Sequence, residues 1–274
     1  MKYKLILSDY DDTLLPKGGK ITPYTLETIK KYVAKGGIFV VSSGRSSDAV
    51  KKLLNENGIN FGYALAYNGA YVADLKNDRI ISETSIKNAV AVEVIKQMEK
   101  DGIRPQTYYG EEVLIEKENE FTDLYVKNTG IPLTYTRVPL SEYIKKKGWN
   151  VPKIVCYIPE GSDNDAIRDK YRDMFGEKCQ FMFSKSWLFE CVSIDAGKDK
   201  GAEALCEYLG IKKDEVMAFG DGQNDLSMIR FAGLGVAVKN ACKELLKEAD
   251  YIAPADTEDG VAKTIEKYCL EDNE

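Results

Sequence analysis

The chain has 274 residues, of which 44% are hydrophobic and 30% are charged, a composition typical of a globular protein. Its net charge of −6 argues against a nucleic-acid-binding surface, because phosphate backbones require concentrated lysine and arginine. The length favours two domains, or one domain that carries a large insertion.

Further exclusions follow from individual residue types. No apolar run approaches the roughly 20 residues that span a bilayer, and Met1 to Lys4 lead directly into a short strand, so we expect a cytoplasmic protein without a membrane partner. The six cysteines show no Cys-x-x-Cys spacing and are expected to be reduced. Because histidine is absent, a general acid or base must be a carboxylate, Lys, Tyr or Cys, and a bound metal must be a hard cation such as magnesium.

The first third of the chain predicts alternating strands and helices. A strand ends at Asp9, and a helix is opened by Thr22-Pro23 and closed by Gly36-Gly37. The next predicted elements are a strand at Ile38 to Ser42, a helix reaching Asn57-Gly58, a strand at Tyr63 to Ala66, and two extended runs around Lys76-Asn77-Asp78. This alternation indicates a parallel sheet.

The pattern changes at about Glu83. The helix predicted at Ile86 to Lys100 has one apolar face, and short mixed elements follow. These are strands at Arg104 to Tyr108, Glu112 to Ile115, Ile154 to Ile158 and Gln180 to Phe183, and helices at Glu118 to Asn128 and Asp163 to Phe175. We interpret this block as an inserted domain.

The first pattern returns near Leu188, with a strand to Ser193, a helix at Lys200 to Leu209 and a strand at Val216 to Phe219. The prediction is therefore an α/β protein. Residues 1–83 and 189–274 form a Rossmann-like core with a parallel sheet, and residues 84–188 form an inserted α+β domain.

Polar residues follow four predicted strands of the core: Asp9 and Asp11, then Ser42 to Arg45, then Asn68-Gly69, and finally Gly220 to Asp225. Ligands of open parallel sheets bind beyond the carboxyl ends of the strands. Four clustered carboxylates would repel one another, and a magnesium ion, with Lys200 as an additional cation, would resolve that conflict. Taken singly, the first Asp pair could be turn residues, Asp221-Gly222 a hairpin turn, and Lys200 a solvated lysine.

Together these motifs resemble the haloacid dehalogenase superfamily, specifically its Cof-like phosphatase branch, in which a large cap domain is inserted between two halves of the core. The matching segments are Asp9-Tyr-Asp-Asp-Thr-Leu14, Ser42-Ser-Gly-Arg45, Tyr67-Asn-Gly-Ala70, Lys200-Gly201 and Phe219-Gly-Asp-Gly-Gln-Asn-Asp-Leu-Ser-Met228. They stand in the family's order along nearly the whole chain.

The resemblance implies a role for each matching residue. Asp9 would attack phosphorus, and Asp11 would protonate the leaving oxygen and then activate water. Ser43 would hold a phosphoryl oxygen, and Lys200 would compensate charge on Asp9. The implied magnesium site comprises Asp9, Asp11 (through its main-chain carbonyl), Asp221 and Asp225, and the implied substrate contacts are Gly44, Arg45, Asn68, Asn224 and Asn240.

The chain departs from the family pattern at four places, one of which is Ser43, a conservative replacement of a frequent threonine. Asp12 stands where the family commonly has glycine, Lys198 competes with Lys200 for the charge-compensating role, and Val238 to Ala241 differs from the usual Met-Gly-Asn-Ala around Asn240.

The expected function is a magnesium-dependent phosphatase that acts on a small phosphorylated metabolite, a sugar phosphate, through an aspartyl-phosphate intermediate. A phosphomutase and a catalytically silent ligand-binding protein on the same scaffold remain alternatives. The sequence leaves the substrate, the choice between monomer and homodimer, and the roles of the cap aromatics open.

Overall fold

Residues 1–59, 62–110, 112–119, 121–129 and 131–271 are described by the computed structural model of this chain. They divide into two units. The first unit comprises Met1–Ser82 and Gly197–Glu274, and the second comprises Glu83–Ala196.

The first unit contains an eight-stranded sheet with the order β14-β13-β12-β1-β2-β3-β4-β5. The strands from β14 to β3 are parallel to their neighbours, and β4 pairs antiparallel with β3. The strands are β1 (Leu5–Asp9), β2 (Ile38–Ser42), β3 (Tyr63–Ala66), β4 (Tyr71–Asp74), β5 (Arg79–Glu83), β12 (Val216–Gly220), β13 (Leu234–Val238) and β14 (Tyr251–Ala253).

Helices cover both faces of this sheet: α1 (Pro23–Ala34), α2 (Ser47–Glu56), α7 (Lys198–Leu209), α8 (Leu226–Phe231), α9 (Lys243–Glu248) and α10 (Gly260–Ile265). Successive residues of β1 point into different clusters, because Ile6 packs in one core with α1 and α2 while Leu5 and Leu7 pack in a second core with α7 and α8. Burial on both faces explains why the strands are continuously apolar in the sequence. The parallel direction places the carboxyl ends of β1, β2, β3 and β12 at one edge of the sheet.

The second unit contains a six-stranded, mostly antiparallel sheet with the order β10-β11-β9-β6-β7-β8. Its elements are α3 (Asn88–Lys100), β6 (Pro105–Tyr109), β7 (Glu112–Ile115), α4 (Thr122–Thr129), β8 (Leu133–Tyr135), α5 (Leu140–Lys147), β9 (Ile154–Tyr157), α6 (Asn164–Phe175), β10 (Cys179–Lys185) and β11 (Leu188–Ser193). Side chains of α3, α5 and α6, such as Met98, Ile144 and Tyr171, share a core with Cys156 and Phe189 of the sheet.

The point at which the chain returns from the second unit to the first differs from the sequence expectation. Residues 189–193 were assigned to the core, but β11 pairs antiparallel with β10 and β9 in the sheet of the second unit, and the first unit resumes at Gly197. Two elements, β8 and α5, have no counterpart in the sequence analysis. The predicted helix Glu118 to Asn128 overlaps α4, but Glu120 lies outside the described residues. No helix in the described part of the chain is long and apolar enough to cross a membrane.

Candidate active site

Asp9, the last residue of β1, is buried at the carboxyl edge of the sheet with 7% exposure. Its Oδ1 accepts a hydrogen bond from Lys198 Nζ at 2.5 Å. Its Oδ2 accepts none from the residues that the structure describes. One oxygen of this carboxylate is therefore fixed by an ammonium group, while the other remains available to a reactant.

Lys198 is the cation at the centre of a cluster of acidic side chains that includes Asp9 and Asp225. Its side chain is fully buried, and Nζ donates to Asp9 Oδ1, to Asp225 Oδ1 at 2.5 Å and to the carbonyl of Ser42 at 3.2 Å. Burial alone would lower the pKa of Lys198, but the carboxylates of Asp225 and Asp9 outweigh burial and raise it. The residue therefore carries its positive charge throughout the physiological pH range.

Lys200, which the sequence analysis placed in this role, lies on the surface of the first unit. Its Nζ pairs with Glu203 at 3.2 Å, and its side chain is 57% exposed. The helical period explains the difference, because Lys198, Gly201, Ala202 and Leu205 share the buried face of α7 while Lys200 and Glu203 share the exposed face. The sequence analysis named Lys200 and kept Lys198 as the alternative; the structure places Lys200 on the surface and Lys198 against Asp9 and Asp225.

The loop after β12 brings two further carboxylates to the cluster. Asp225 is fully buried, and its Oδ2 accepts hydrogen bonds from the backbone N–H groups of Asp221 and Gly222 at 3.1 and 2.9 Å. Gly220 allows this close return of the chain, because a Cβ atom at that position would lie 2.5 Å from Asp225 Cβ. Asp225 thus connects Lys198 to the loop that carries Asp221.

Thr13 orients Asp221 from the other side. The Thr13 hydroxyl donates to Asp221 Oδ1 at 2.7 Å, although the two residues are 208 positions apart in the chain. The role of Thr13 was not assigned from the sequence, yet the Asp-x-Asp-x-Thr pattern contained the signal. The segment after β1 and the loop after β12 are therefore joined by a direct hydrogen bond.

The donor set suits a hard divalent cation. Carboxylate oxygens of Asp9, Asp221 and Asp225 lie within 4.8 Å of one another. Among the described residues, Lys198 is the ammonium that donates to Asp9 and Asp225, and one positive charge against three acids leaves the ionised group with excess negative charge. Oxygen ligands and negative charge are what Mg²⁺ prefers.

The same excess charge perturbs the acids themselves. Burial is the largest effect and raises the pKa of Asp9 well above its usual range; the charge of Lys198 opposes this rise, and the charges of Asp225 and Asp221 add to it. Burial, followed by the charge of Asp225, raises the pKa of Asp221 to about 6, against the hydrogen bond from Thr13. Perturbed acids of this kind are typical of functional sites.

Asp11 and Arg45 form a bidentate ion pair beside the cluster. Arg45 Nε and Nη2 donate to Asp11 Oδ2 and Oδ1 at 3.0 and 2.8 Å. Burial would lower the pKa of Arg45, but the bonds to Asp11 outweigh burial and raise it. Both carboxylate oxygens of Asp11 are thereby held in a fixed orientation.

Ser43, Gly44 and Asn68 lie on two loops that hold each other. The N–H of Asn68 donates to the carbonyl of Ser43 at 3.0 Å, and the N–H of Tyr67 donates to the carbonyl of Arg45 at 2.8 Å. The Ser43 hydroxyl accepts from the N–H of Arg45 at 3.2 Å. Gly44 packs against the Asn68 amide, since a Cβ on Gly44 would lie 3.2 Å from Asn68 Oδ1.

The two other predicted substrate contacts differ in their surroundings. Asn224 Nδ2 donates to Asn68 Oδ1 at 3.2 Å, so Asn224 joins the loop after β12 to the loop after β3. Asn240 Nδ2 donates to the carbonyl of Asp12, and Asn240 Oδ1 accepts from the N–H of Asp256. Both polar groups of the Asn240 side chain bind backbone atoms. In this structure Asn240 therefore connects the backbone of Asp12 to that of Asp256 and does not form an open substrate contact.

Comparison with known proteins places these features in a wider group. The family model for haloacid dehalogenase-like hydrolases matches residues 6–265. The protein YxeH of Bacillus subtilis (strain 168), whose name describes it provisionally as a phosphatase, is 29% identical, with 98% of this chain and 99% of YxeH covered. The 5-amino-6-(5-phospho-D-ribitylamino)uracil phosphatase YwtE of the same organism is 25% identical, with coverage of 96% and 97%.

A solved structure shows the same overall similarity. A haloacid dehalogenase-like hydrolase from Bacteroides thetaiotaomicron superposes with a TM-score of 0.85 at 30% sequence identity, covering 97% of this chain and 99% of that one.

Proposed function

Because this chain belongs to the haloacid dehalogenase-like hydrolases and is a phosphatase of that family, we propose that it hydrolyses a small sugar or sugar-alcohol phosphate with bound Mg²⁺ through a phosphorylated Asp9. One observation carries the proposal. A buried carboxylate has one oxygen held by Lys198 and the other without a hydrogen bond among the described residues, beside two further acids.

Asp9 is the nucleophile of the proposed reaction. Its Oδ2 attacks phosphorus, the bond from phosphorus to the leaving oxygen breaks, and a phosphoaspartate forms. Lys198 compensates the charge on Oδ1 and keeps the attacking carboxylate in one orientation. Water then displaces the carboxylate from phosphorus, which releases inorganic phosphate and restores Asp9.

Asp11 supplies the proton to the leaving oxygen and later takes a proton from the attacking water. Arg45 holds both oxygens of Asp11, so proton transfer requires that one of these two hydrogen bonds be exchanged for a bond to the reactant. Ser43 and Asn68, whose loops meet beside Asp9, are the proposed partners of the phosphoryl oxygens.

Asp9, Asp221 and the main-chain carbonyl of Asp11 would hold the Mg²⁺ ion, with Asp225 supporting the loop of Asp221. The bound ion supplies charge neutralisation for the phosphoryl group in its transition state. Thr13 and Asp225 keep the carboxylate of Asp221 in position through the hydrogen bonds described above.

The substrate class rests on the similarity to YwtE, whose name specifies a phosphate ester on a ribityl chain. A polyol phosphate is consistent with the absence of a basic, nucleic-acid-binding composition. We therefore expect sugar and sugar-alcohol phosphates to be better substrates than nucleic acids or phosphoproteins.

The Asp9→Asn variant tests the mechanism, because it keeps the shape of the side chain but removes the nucleophilic charge. We expect release of phosphate from ribose 5-phosphate, glucose 6-phosphate and a generic aryl phosphate to fall at least about a thousandfold. Acid-quenched wild-type protein should carry a phosphoryl group detectable by mass spectrometry, and the variant should not. Asp173→Asn, at an exposed position of α6, is the control for loss of one carboxylate.

Near-normal hydrolysis by Asp9→Asn would refute the proposed nucleophile. Conversion of a sugar phosphate into an isomer without release of inorganic phosphate would instead identify a mutase. Unchanged turnover after removal of divalent cations with EDTA would refute the role of Mg²⁺.

A further inference from the structure

The eight-stranded sheet of the first unit ends at β5 (Arg79–Glu83), and no further strand of the described chain pairs with its outer side. Such an edge offers unpaired backbone N–H and C=O groups, and proteins usually protect it. The edge strands β14 and β8 are only three residues long, and the edge strand β10 contains a shift of register near Phe183. Strand β5 has five residues, all exposed or half-buried, so neither device protects it from another strand.

The hairpin that carries β5 is held in one shape by Asp74, the last residue of β4. Asp74 Oδ1 accepts from the N–H of Asn77 at 3.1 Å, and Asp74 Oδ2 accepts from Asn77 Nδ2 at 2.8 Å. The bond from the Asn77 side chain is the largest effect on the pKa of Asp74 and lowers it, so the carboxylate stays ionised at neutral pH. An edge strand that is fixed in advance loses less entropy when it binds a partner.

The two ends of β5 carry opposite charges. Arg79 stands at the first position and Glu83 at the last, and both lie on the same face of the strand as Ile81, because side chains alternate between faces. The Arg79 side chain is 55% exposed, with Nη2 3.8 Å from Asp74 Oδ2, and the exposed Glu83 accepts from Ser85 Oγ at 2.6 Å. Exposed contacts of this kind are weak, so both charges remain able to pair with a partner.

Apolar surface lies beside these charges. Ile80 is 41% exposed, and Tyr208 of α7 is 47% exposed. The ring of Tyr208 packs edge-on against Tyr63 with 6.3 Å between centroids, and the guanidinium of Arg79 lies over the same ring and donates to its hydroxyl. Exposed apolar groups next to an open sheet edge favour contact with a second protein surface.

We propose that β5 pairs antiparallel with β5 of a second copy of this chain, about a two-fold axis at Ile81. In this register Arg79 of each copy lies opposite Glu83 of the other, Ile80 lies opposite Ser82, and Ile81 lies opposite its own equivalent. Charges at an edge usually prevent pairing, but here both ends bring opposite charges together, which stabilises a cross-strand pair. Parallel pairing in register would place like charges together, so the antiparallel homodimer is the arrangement that the strand favours.

Sedimentation velocity of the full chain measures the association. We expect the wild type at about 100 µM to form a dimer of two 30.7 kDa chains with a Kd on the order of 10 µM, as befits a small interface. Arg79→Glu and Glu83→Arg should each raise the Kd at least about tenfold, because two-fold symmetry turns two attractive contacts into two repulsive ones. Arg230→Glu, at an exposed ion pair with Glu248, is the control for a change of charge and should leave the Kd unchanged.

An equimolar mixture of Arg79→Glu and Glu83→Arg tests the register. In a mixed dimer both ends again pair a carboxylate with a guanidinium, so we expect a Kd within about threefold of the wild-type value. Native mass spectrometry identifies the mixed dimer by its mass. A variant that had simply lost its fold would not recover on mixing, so the recovery separates pairing from stability.

A wild-type chain that stays monomeric at about 100 µM would overturn the proposal, whatever other partner pairs with the strand. Dimers that persist in both single variants would overturn it as well, and so would single variants that remain monomeric when mixed. None of the β5 residues belongs to the proposed catalytic cluster, so dimerisation and phosphate release are independent measurements.

Discussion

At the scale of single residues, the site depends on one ammonium group placed between two buried carboxylates. Lys198 Nζ contacts Asp9 and Asp225 at 2.5 Å each, and its side chain has no exposed surface. Removing one partner of a buried charge cluster is costly, because the remaining charges lose their compensation without regaining water. Lys198 should therefore matter to both stability and catalysis.

We predict that Lys198→Met lowers kcat at least about a hundredfold and destabilises the first unit by about 3–5 kcal/mol. Lys200→Met is the control two residues away, where an exposed ion pair with Glu203 is worth at most about 1 kcal/mol. Steady-state kinetics and urea unfolding measure the two effects. Equal losses in both variants would contradict the assignment of Lys198.

The sequence analysis already grouped the acids of the site, but it left two lysines, Lys198 and Lys200, as candidates for the cation. Asp9, Asp221 and Asp225 follow apolar strands, and parallel strands deliver their carboxyl ends to one edge. Lys198 and Lys200 both lie in the first turn of α7, so choosing between them required the phase of that helix. Gly201, Ala202 and Leu205 lie three, four and seven positions after Lys198. This spacing places Lys198, and not Lys200, on the apolar face of the helix.

At the scale of elements, a strained turn after β3 holds two loops of the site together. Tyr67, Asn68 and Gly69 have φ angles of 51°, 56° and 84°. Left-handed backbone at non-glycine residues is costly and persists where the surroundings fix it. Here the fixing contact is close, because a Cβ on Gly69 would lie 2.1 Å from the carbonyl oxygen of Gly197.

We predict that Gly69→Ala destabilises the protein by about 2–4 kcal/mol, which corresponds to a Tm decrease of more than about 4 °C. Gly58→Ala is the control, because Gly58 has a φ of 65° but nothing lies within 4 Å of the added Cβ. It should cost about 1 kcal/mol from backbone strain alone. Similar Tm values for the two variants would show that the contact with Gly197 is unimportant.

The element boundaries predicted from the sequence agree best where buried strands carry strong apolar patterns, as in Ile38–Ser42 and Tyr63–Ala66. The helix α5 was missed because it has only eight residues and only two large apolar positions, Leu140 and Ile144, on its buried face. A pattern of that length carries little periodicity. Its stability comes from packing against α3 in the core of the second unit.

At the scale of the whole molecule, each unit has its own core and can be tested separately. In the second unit, Asp101 at the end of α3 accepts hydrogen bonds from Lys170 and Tyr171 of α6 at 2.7 and 2.8 Å. Burial would raise the pKa of Asp101, but the bonds from Lys170, Tyr171 and Gln97 outweigh burial and lower it. Its ionised form therefore stabilises the folded second unit.

We predict that Asp101→Asn lowers the free energy of unfolding of the second unit by about 1–2 kcal/mol at pH 7. Because the folded pKa lies below the unfolded value near 3.9, the contribution is complete above that value and is lost as pH falls through the folded pKa. Hydrogen exchange of α3 and α6 measures the effect, with β1 as internal reference. A difference that persists unchanged at pH 2 would contradict this explanation.

The sequence analysis predicts two units and places the return of the chain to the first unit at residue 189, whereas in the structure the chain returns at Gly197. The change of pattern near Glu83 is local and visible in the sequence. The strand Leu188–Ser193 is equally apolar in either sheet, and its membership is decided by pairing with β9 and β10. The residue pattern of one strand does not show which distant segments the strand pairs with.

The return of the chain to the first unit also sets a rule for exchanging domains between relatives. Gly197 is the first residue of the returning chain, and Lys198 follows immediately, so no spacer separates the junction from the buried ammonium. At the other junction, Ser82 and Glu83 lie at the end of an edge strand, away from any residue of the charge cluster. We therefore expect a chimera to tolerate a change of chain length at the junction between Ser82 and Glu83. At the junction before Gly197, the two chains must be joined without adding or deleting a residue.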